Sequence, residues 1–385
     1  MTDDAYFRRL GAALDARGVD VPTVVIDRAR LERNRERIST RLGGRALRLV
    51  VKSLPSVPLL RALLPRDTPP RLMCFHRPFL QQVAQAFPDA DVLMGKPLPL
   101  ASLARFYDTP PTSSFRPERQ LAWLVDTAER LDALVRFAQE RGLGLRVAIE
   151  IDVGLHRGGV PEPAALSALL ERVLAAGEQL QLAGFMGYDA HVAKAPPPST
   201  PGHAARRSDA RYAEFLAVAR RHLGSRFPET FVCNGAGSPT FALHDSGSPI
   251  DDVAIGSAFV KPTDFDLPSL SELEPAVFIS TRVLKRARGV RIPFLEWLPD
   301  TGRDSLFLYG GRWLAEPVWP PSMRPSRLYG PSSNQQLMTV ARAARLAVDD
   351  FVFFRPTQSE AVLLGFGELL AWDGDRGLET WSVLG

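Results

Sequence analysis

Short apolar runs alternate with amphipathic stretches from about residue 22 to about residue 260, and the texture changes after about residue 270. In the first part, residues 47–51, 72–75, 91–94, 121–125, 145–151, 181–186, 230–233 and 252–255 have the length of buried strands. The clearest helical segments between them are 127–142, 162–177 and 204–223. The first of these opens Asp126-Thr-Ala-Glu129, a capping residue with an acid close behind it, and the second has proline in its first turn and glycine at its far end. Eight strands with intervening helices over this length predict an α/β fold, a (β/α)8 barrel spanning 21–270. A doubly wound open sheet is the competing architecture. Lys52, Gly95, Asp126, Arg157, Tyr188, Asn234 and Gly256 all fall at or just after strand ends. In a barrel those positions converge on one face, where barrel enzymes keep their chemistry.

Beyond residue 270 the runs 276–283, 306–309, 351–354, 361–364 and 381–384 read as strands, with turns such as Asp373-Gly374-Asp375 between them. They predict a C-terminal all-β domain over 271–385. Residues 1–20 predict a helix at the domain junction. Residues 195–202, Ala-Pro-Pro-Pro-Ser-Thr-Pro-Gly, form a loop at the barrel top, to be read as a lid, an intersubunit contact or an inert surface loop. No internal repeat is present.

Composition narrows the class. The chain has 385 residues, enough for two domains, and its 47 basic against 43 acidic residues leave a net charge of +4 without a basic block. That argues against a nucleic-acid partner. The two cysteines, Cys74 and Cys233, sit in or beside apolar runs, so buried reduced thiols are expected and not a disulfide framework. The acidic start, Met-Thr-Asp-Asp-Ala-Tyr-Phe, lacks a signal-peptide pattern, and no apolar stretch is long enough to span a bilayer. The expectation is a cytoplasmic protein with no membrane partner.

Four stretches could carry chemistry. Arg48-Leu-Val-Val-Lys-Ser53 delivers Lys52 to the end of a buried run, and Pro55 closes it. Desolvation there disfavours an ammonium and favours a free amine able to condense with an aldehyde; a surface lysine at a strand end is the alternative. Glu150-Ile-Asp-Val-Gly-Leu-His-Arg-Gly-Gly159 exposes Arg157 in mid-loop, either as a donor to a phenolate or carboxylate or as a surface ion-pair partner. Gly184-Phe-Met-Gly-Tyr-Asp-Ala-His191 places Tyr188 where its ring could stack on a flat ligand or pack at the core edge. Cys233-Asn-Gly-Ala-Gly-Ser-Pro-Thr240 is a glycine- and hydroxyl-rich loop, suited to an anion such as phosphate or to a tight turn alone.

Together Val51-Lys52, Asp152–Arg157, Gly184–Tyr188, Asn234–Ser238 and Ile255-Gly256-Ser257 occur in the order seen in fold-type III pyridoxal-phosphate enzymes. The sequence most resembles their D-threonine aldolase and D-serine dehydratase branch, and is more distantly similar to alanine racemase. The opening Val21-Pro-Thr-Val-Val-Ile-Asp27 matches the same branch. The resemblance implies an alanine racemase-like barrel followed by a β domain, and a homodimer with its site at the subunit junction. It implies pyridoxal 5'-phosphate on Lys52 as a Schiff base, Arg157 donating to the ring's phenolic oxygen, and Tyr188 stacking on the ring. Asn234, Gly235, Gly237 and Ser238, with Gly256 and Ser257, would hold the phosphate.

Two departures stand out. Members of this branch place a divalent metal on His-x-Cys or His-x-Asp in the second domain, where this chain has Pro356-Thr-Gln-Ser-Glu360. Gln358 and Glu360 offer only oxygen donors, so no tight zinc site is expected, while a loose magnesium or manganese site stays open. Alanine racemase holds the ring nitrogen with an arginine where this chain has Ala254. The expected activity is a lyase, of aldolase or dehydratase type, on a small D-configured β-hydroxy amino acid. Lys52 would serve as base at Cα, with His191 and Asp189 as candidates for a second acid or base, although a structural histidine fits position 191 as well. A racemase, a weakly catalytic cofactor carrier and a phosphosugar barrel enzyme are the alternatives.

Overall fold

The computed structural model describes residues 3–290, 292–297, 299, 301–326 and 328–385. Met1 and Thr2, part of the expected N-terminal helix, lie outside the described residues. The chain divides into two compact units. One comprises Met1–Asn34, Phe259–Asp266 and Leu273–Val383; the other comprises Arg35–Ala258, Leu267–Glu272 and Leu384–Gly385.

The first strand, β1 (Thr23–Asp27), belongs to the sheet unit. The next eight close the barrel: β2 (Ala46–Val50), β3 (Arg71–Cys74), β4 (Asp91–Met94), β5 (Leu121–Val125), β6 (Leu145–Glu150), β7 (Leu180–Gly187), β8 (Val232–Gly235) and β9 (Asp252–Ile255). All neighbours are parallel, and β9 returns to β2 with Ala46 opposite Asp252. These are the eight strands expected from the pattern, each within about two residues at either end. A parallel strand covered on both faces must be apolar throughout, which is why β5 is buried at every position. Local signals set the helices between them. Thr127 accepts from Arg130 N to start Ala128–Arg141, and Gly142 ends it in the left-handed region at φ 63°. Thr200 does the same for Pro201–Leu223, whose first turn takes up the end of the proline-rich loop.

One barrel position defies the apolar pattern. Arg48, in the middle of β2, is completely buried. Its guanidinium pairs with both oxygens of Asp252, at 2.7 and 3.0 Å, and with Asp91 at 2.7 Å. It also donates to the carbonyls of Leu72 and Asp91. Burial works against the cation, but these carboxylates outweigh it and hold Arg48 charged. A barrel interior admits such a group only when every donor is met.

The other unit is a nine-stranded sheet among the described residues. Its further strands are β10 (Val277–Ala287), β11 (Arg303–Tyr309), β12 (Ala315–Trp319), β13 (Arg324–Pro325), β14 (Gln335–Ala341), β15 (Phe351–Pro356), β16 (Glu368–Trp372) and β17 (Leu378–Ser382). The order is β13-β14-β11-β10-β1-β16-β17, with β15 also on β10 and β12 on β15. The helix Asp3–Arg17 buries Tyr6, Phe7, Leu10 and Leu14 in this unit, where Phe7 packs edge-on to Phe278 and Tyr6 donates to Asp27 at 2.7 Å.

Two expectations are corrected here. Residues 23–27, read as the start of the barrel domain, pair antiparallel with β10 and parallel with β16, because five consecutive buried residues need partners on both sides. Residues 361–364, read as a strand, lie in the helix Ser359–Gly365. Val362 and Leu363 are buried side by side while Ala361 and Leu364 face out, a pattern that so short an apolar run does not separate from a strand.

Candidate active site

The barrel topology carries the loops after β2 and β6–β9 to one end. Beyond β2 the chain tightens into a single turn, Val51–Ser53, which carries Lys52. Lys52 is half-buried, and its Nζ stands 4.8 Å from the centroid of the Phe75 ring, just past β3. Gly95, after β4, leaves room for that ring, since a Cβ there would collide with it.

On the far side, Arg157 is exposed and its guanidinium carbon lies 4.9 Å from the centre of the Tyr188 ring. Tyr188 in turn presses on the glycine-rich loop, where a Cβ added at Gly237 would stand 2.8 Å from its Cε2. Ala236 turns through the left-handed region at φ 56° to make this approach. Ser238 Oγ then accepts from Gly256 N at 3.0 Å and Ala258 N at 3.2 Å. Gly256 closes the ring against the Lys52 turn, for a Cβ there would stand 2.7 Å from Cβ of Ser53. Lys52, Arg157, Tyr188, Gly237, Ser238, Gly256 and Ser257 are thus brought together around one end of the barrel.

Three residues read as site members are placed differently in detail. Asn234 turns its side chain into the barrel, where Nδ2 donates to Asp252 Oδ1 at 2.6 Å and Oδ1 is buried without a partner. The Gly256 N–H is taken by Ser238 and is not aimed outward. Asp189 is fully buried and bound to His244 and Thr240, which ties it up as an acid or base. His191 is half-buried against the Asp152–Arg157 turn, its Nε2 3.1 Å from where a Cβ of Gly154 would stand. Burial lowers its pKa and favours the neutral ring. Gln358 and Glu360 belong to the sheet unit; Gln358 is the exposed residue capping the helix Ser359–Gly365, and Glu360 is in its first turn. Among the described residues no three His, Cys, Asp or Glu side chains gather as a metal site.

Sequence reasoning missed two groups. Glu150 ends β6, and its carboxyl shares the space beneath Gly158 with that of Asp126, each within 4 Å of a Cβ placed there. Burial pushes the Glu150 pKa up to about 7, Asp126 adds to the rise, and Arg157 counters it. The signal was an acid directly after the apolar triplet Val147-Ala148-Ile149 at the end of a strand. His244 lies in a stretch with no motif at all. Its ring is buried between Asp189 at 2.6 Å and Asp209 at 2.9 Å. Both cysteines are buried and unlinked as expected, and burial raises the Cys74 thiol above its ordinary range.

No helix is long and apolar enough to cross a membrane among the described residues. No curated protein matches this chain by sequence. Among solved structures it is similar to D-threonine aldolase from Filomicrobium marinum, at 19% identity over 95% of both chains and a TM-score of 0.74. It is similar to D-threo-3-hydroxyaspartate dehydratase from Delftia sp. HT23, at 20% identity over 95% of this chain and 98% of that one, TM-score 0.76. Alanine racemase from Bacillus anthracis matches at 16% identity over 94% and 98%, TM-score 0.70. At these identities the likeness is one of fold. The family model described as alanine racemase, N-terminal domain, matches residues 26–263, well over half the chain, and so the protein belongs to that family.

Proposed function

We propose that this chain is a pyridoxal phosphate-dependent enzyme of amino-acid metabolism, and that it acts as a lyase on a small β-hydroxy amino acid of D configuration. One observation carries the reading: a chain of contacts runs from Arg157 through Tyr188, Gly237, Ser238 and Gly256 to the turn that carries Lys52, whose Nζ lies against Phe75. The residues fit the cofactor. The glycine at 237 keeps the loop against the Tyr188 ring, and an added methyl would block that approach. An oxygen that accepts two N–H bonds, as Ser238 Oγ does, leaves its own hydrogen to donate to a phosphate.

Bound there, pyridoxal phosphate supplies an electron sink for charge left on Cα when one of its bonds breaks. The chain supplies the rest. Lys52 holds the cofactor covalently through Nζ and moves a proton at Cα. Arg157 donates to the ring's phenolic oxygen, and Tyr188 flanks the ring. Ser238, Ser257 and the loop N–H groups of Gly235 and Gly237 hold the phosphate. His191, whose burial favours the neutral ring, would take the proton of a substrate hydroxyl. A homodimer is part of the proposal. A racemase is the second reading, favoured by Gln358 and Glu360, which lack the imidazole and thiolate that grip a metal collecting a β-hydroxyl. A weakly catalytic carrier is the third.

The test is direct. Purified protein mixed with pyridoxal phosphate should gain a visible absorption band that borohydride bleaches, with the reduced adduct mapped to Lys52 by mass spectrometry. Lys52→Ala should abolish both; an adduct elsewhere, or none, ends the reading. D- and L-serine, threonine, alanine and β-hydroxyaspartate, assayed for keto acid, glycine or inverted product, then separate lyase from racemase.

A further inference from the structure

Behind the glycine-rich loop lies a buried polar cluster that the proposed chemistry does not use. Its centre is His244, whose ring is fully enclosed. Nε2 meets Asp189 Oδ2 at 2.6 Å, and Nδ1 meets Asp209 Oδ1 at 2.9 Å. The other oxygen of Asp189 accepts from Thr240 Oγ1 at 2.7 Å, and Ser248 donates to Asp209 at 2.7 Å. Both ring nitrogens therefore face carboxylates. Burial favours a neutral ring, but the two carboxylates outweigh it and push the His244 pKa up to about 9.

What this cluster joins matters more than its charge. Asp189 directly follows Tyr188 at the end of β7. Thr240 closes the glycine-rich loop, donating its N–H back to the Gly237 carbonyl at 3.0 Å. Asp209 belongs to the helix Pro201–Leu223. A protonated His244 thus ties the loop, the tyrosine's strand end and a long helix to one point. The buried Asp189 carboxylate would be costly there without a counter-charge, and the imidazolium offsets it while also pairing with the half-buried Asp209. Surface exposure is nil at Asp189 and Thr240, so water cannot replace the tie.

We infer that His244, Asp189 and Thr240 are positioning residues for the cofactor's phosphate: they fix the loop that carries Gly237 and Ser238 in its binding shape. This rests on the cofactor reading above. A residue that only supports the barrel would affect all ligands alike, whereas this cluster, joined to the glycine-rich loop through Thr240, should act mainly on the phosphate.

The experiment titrates the apo-protein with pyridoxal phosphate and, separately, with pyridoxal, which lacks the phosphate. Affinity is read from absorbance, and apo-protein folding is checked by circular dichroism and thermal melting. His244→Gln and Thr240→Val should each weaken pyridoxal phosphate by about tenfold or more, the size of one charge-assisted hydrogen bond. Pyridoxal binding should stay within about threefold, the scale of one neutral contact. Thr240→Ser, which keeps the hydroxyl, should restore wild-type affinity. Equal weakening of both ligands, unchanged affinity, or loss of folding in both variants would each overturn the inference while leaving the cofactor reading intact. Wild-type protein that binds neither ligand would overturn the cofactor reading and this inference with it.

Discussion

Arg157 and Tyr188, from loops after neighbouring barrel strands, form a stacked pair whose guanidinium carbon and ring centre are 4.9 Å apart. Arg157 is exposed, so the stack contributes little to folding, on the order of 0.5–1 kcal/mol. In the proposed function it aims the guanidinium at the cofactor. Arg157→Ala should therefore melt within about 2 °C of wild type, as surface changes do. It should also shift the cofactor absorption band and lower turnover by about a hundredfold, the scale for losing one preorganised donor. Arg157→Lys should recover only part of the activity, because an ammonium lacks the planar fork. Wild-type turnover in Arg157→Ala would remove this residue from the site.

The Arg48–Asp252 pair makes the opposite prediction, large in stability. Asp252 is fully buried and also receives Arg71 and Asn234. Cutting one partner strands the other charge in the barrel, at a cost of about 3–5 kcal/mol. Arg48→Met and Asp252→Asn should each lower the unfolding free energy by that amount, read from the shift in denaturant midpoint. The double variant Arg48→Met/Asp252→Asn should lose less than the two single losses added, since neither member of the pair is then left charged without the other, and Asp91 keeps Arg146. Strict additivity in the cycle would show that the pair is not the source.

These two arginines show what the pattern of residues discloses and what it hides. Eight apolar runs of strand length with helical segments between them favour a barrel over a doubly wound sheet. Once the barrel is accepted, the polar residues at strand ends fall on one face without further information, which is how Lys52, Arg157 and Tyr188 were legible. Arg48 was not, because its partners lie 43 and 204 positions away. Nothing local distinguishes a buried paired arginine from a strand-end one. His244 was hidden for the same reason, its two carboxylates coming from distant elements. Asn234 was read as reaching the ligand, but alternation along β8 points its side chain inward to Asp252. At residues 361–364 the run was too short for periodicity to choose between strand and helix.

Metal dependence gives a third prediction. Gln358 and Glu360 offer an amide oxygen and one carboxylate, a weak set for zinc and a loose one for magnesium or manganese. Dialysis against a chelator should leave most of the activity in place, and added zinc should not raise it. Complete loss on chelation, reversed by manganese, would show that these two residues, or others, do bind a metal that the reaction needs. Glu360→Gln would then identify the site by abolishing the manganese response.

Glu150 gives a prediction in pH. Its carboxyl ends β6 beside Asp126, and burial first, then that neighbouring acid, raises its pKa from 4.5 to about 7, with Arg157 acting against the rise. The folded protein thus holds the Glu150 proton more tightly than the unfolded chain does. The resulting stability is fully present below pH 4.5 and is lost as pH rises through about 7. A shift of this size corresponds to on the order of 3 kcal/mol. Glu150→Gln keeps the shape but cannot ionise, so it escapes the loss. Measured by chemical denaturation, the variant's stability relative to wild type should rise by about 2–3 kcal/mol between pH 5 and pH 8. A difference that stays flat across that range would mean that Glu150 titrates as an ordinary surface acid. Activity should follow a related course, because the charge on Glu150 acts directly on Arg157. In wild type the ionised carboxylate strengthens the hold on that guanidinium above pH 7, and Glu150→Gln should flatten that limb of the pH–rate profile while leaving the low-pH limb unchanged.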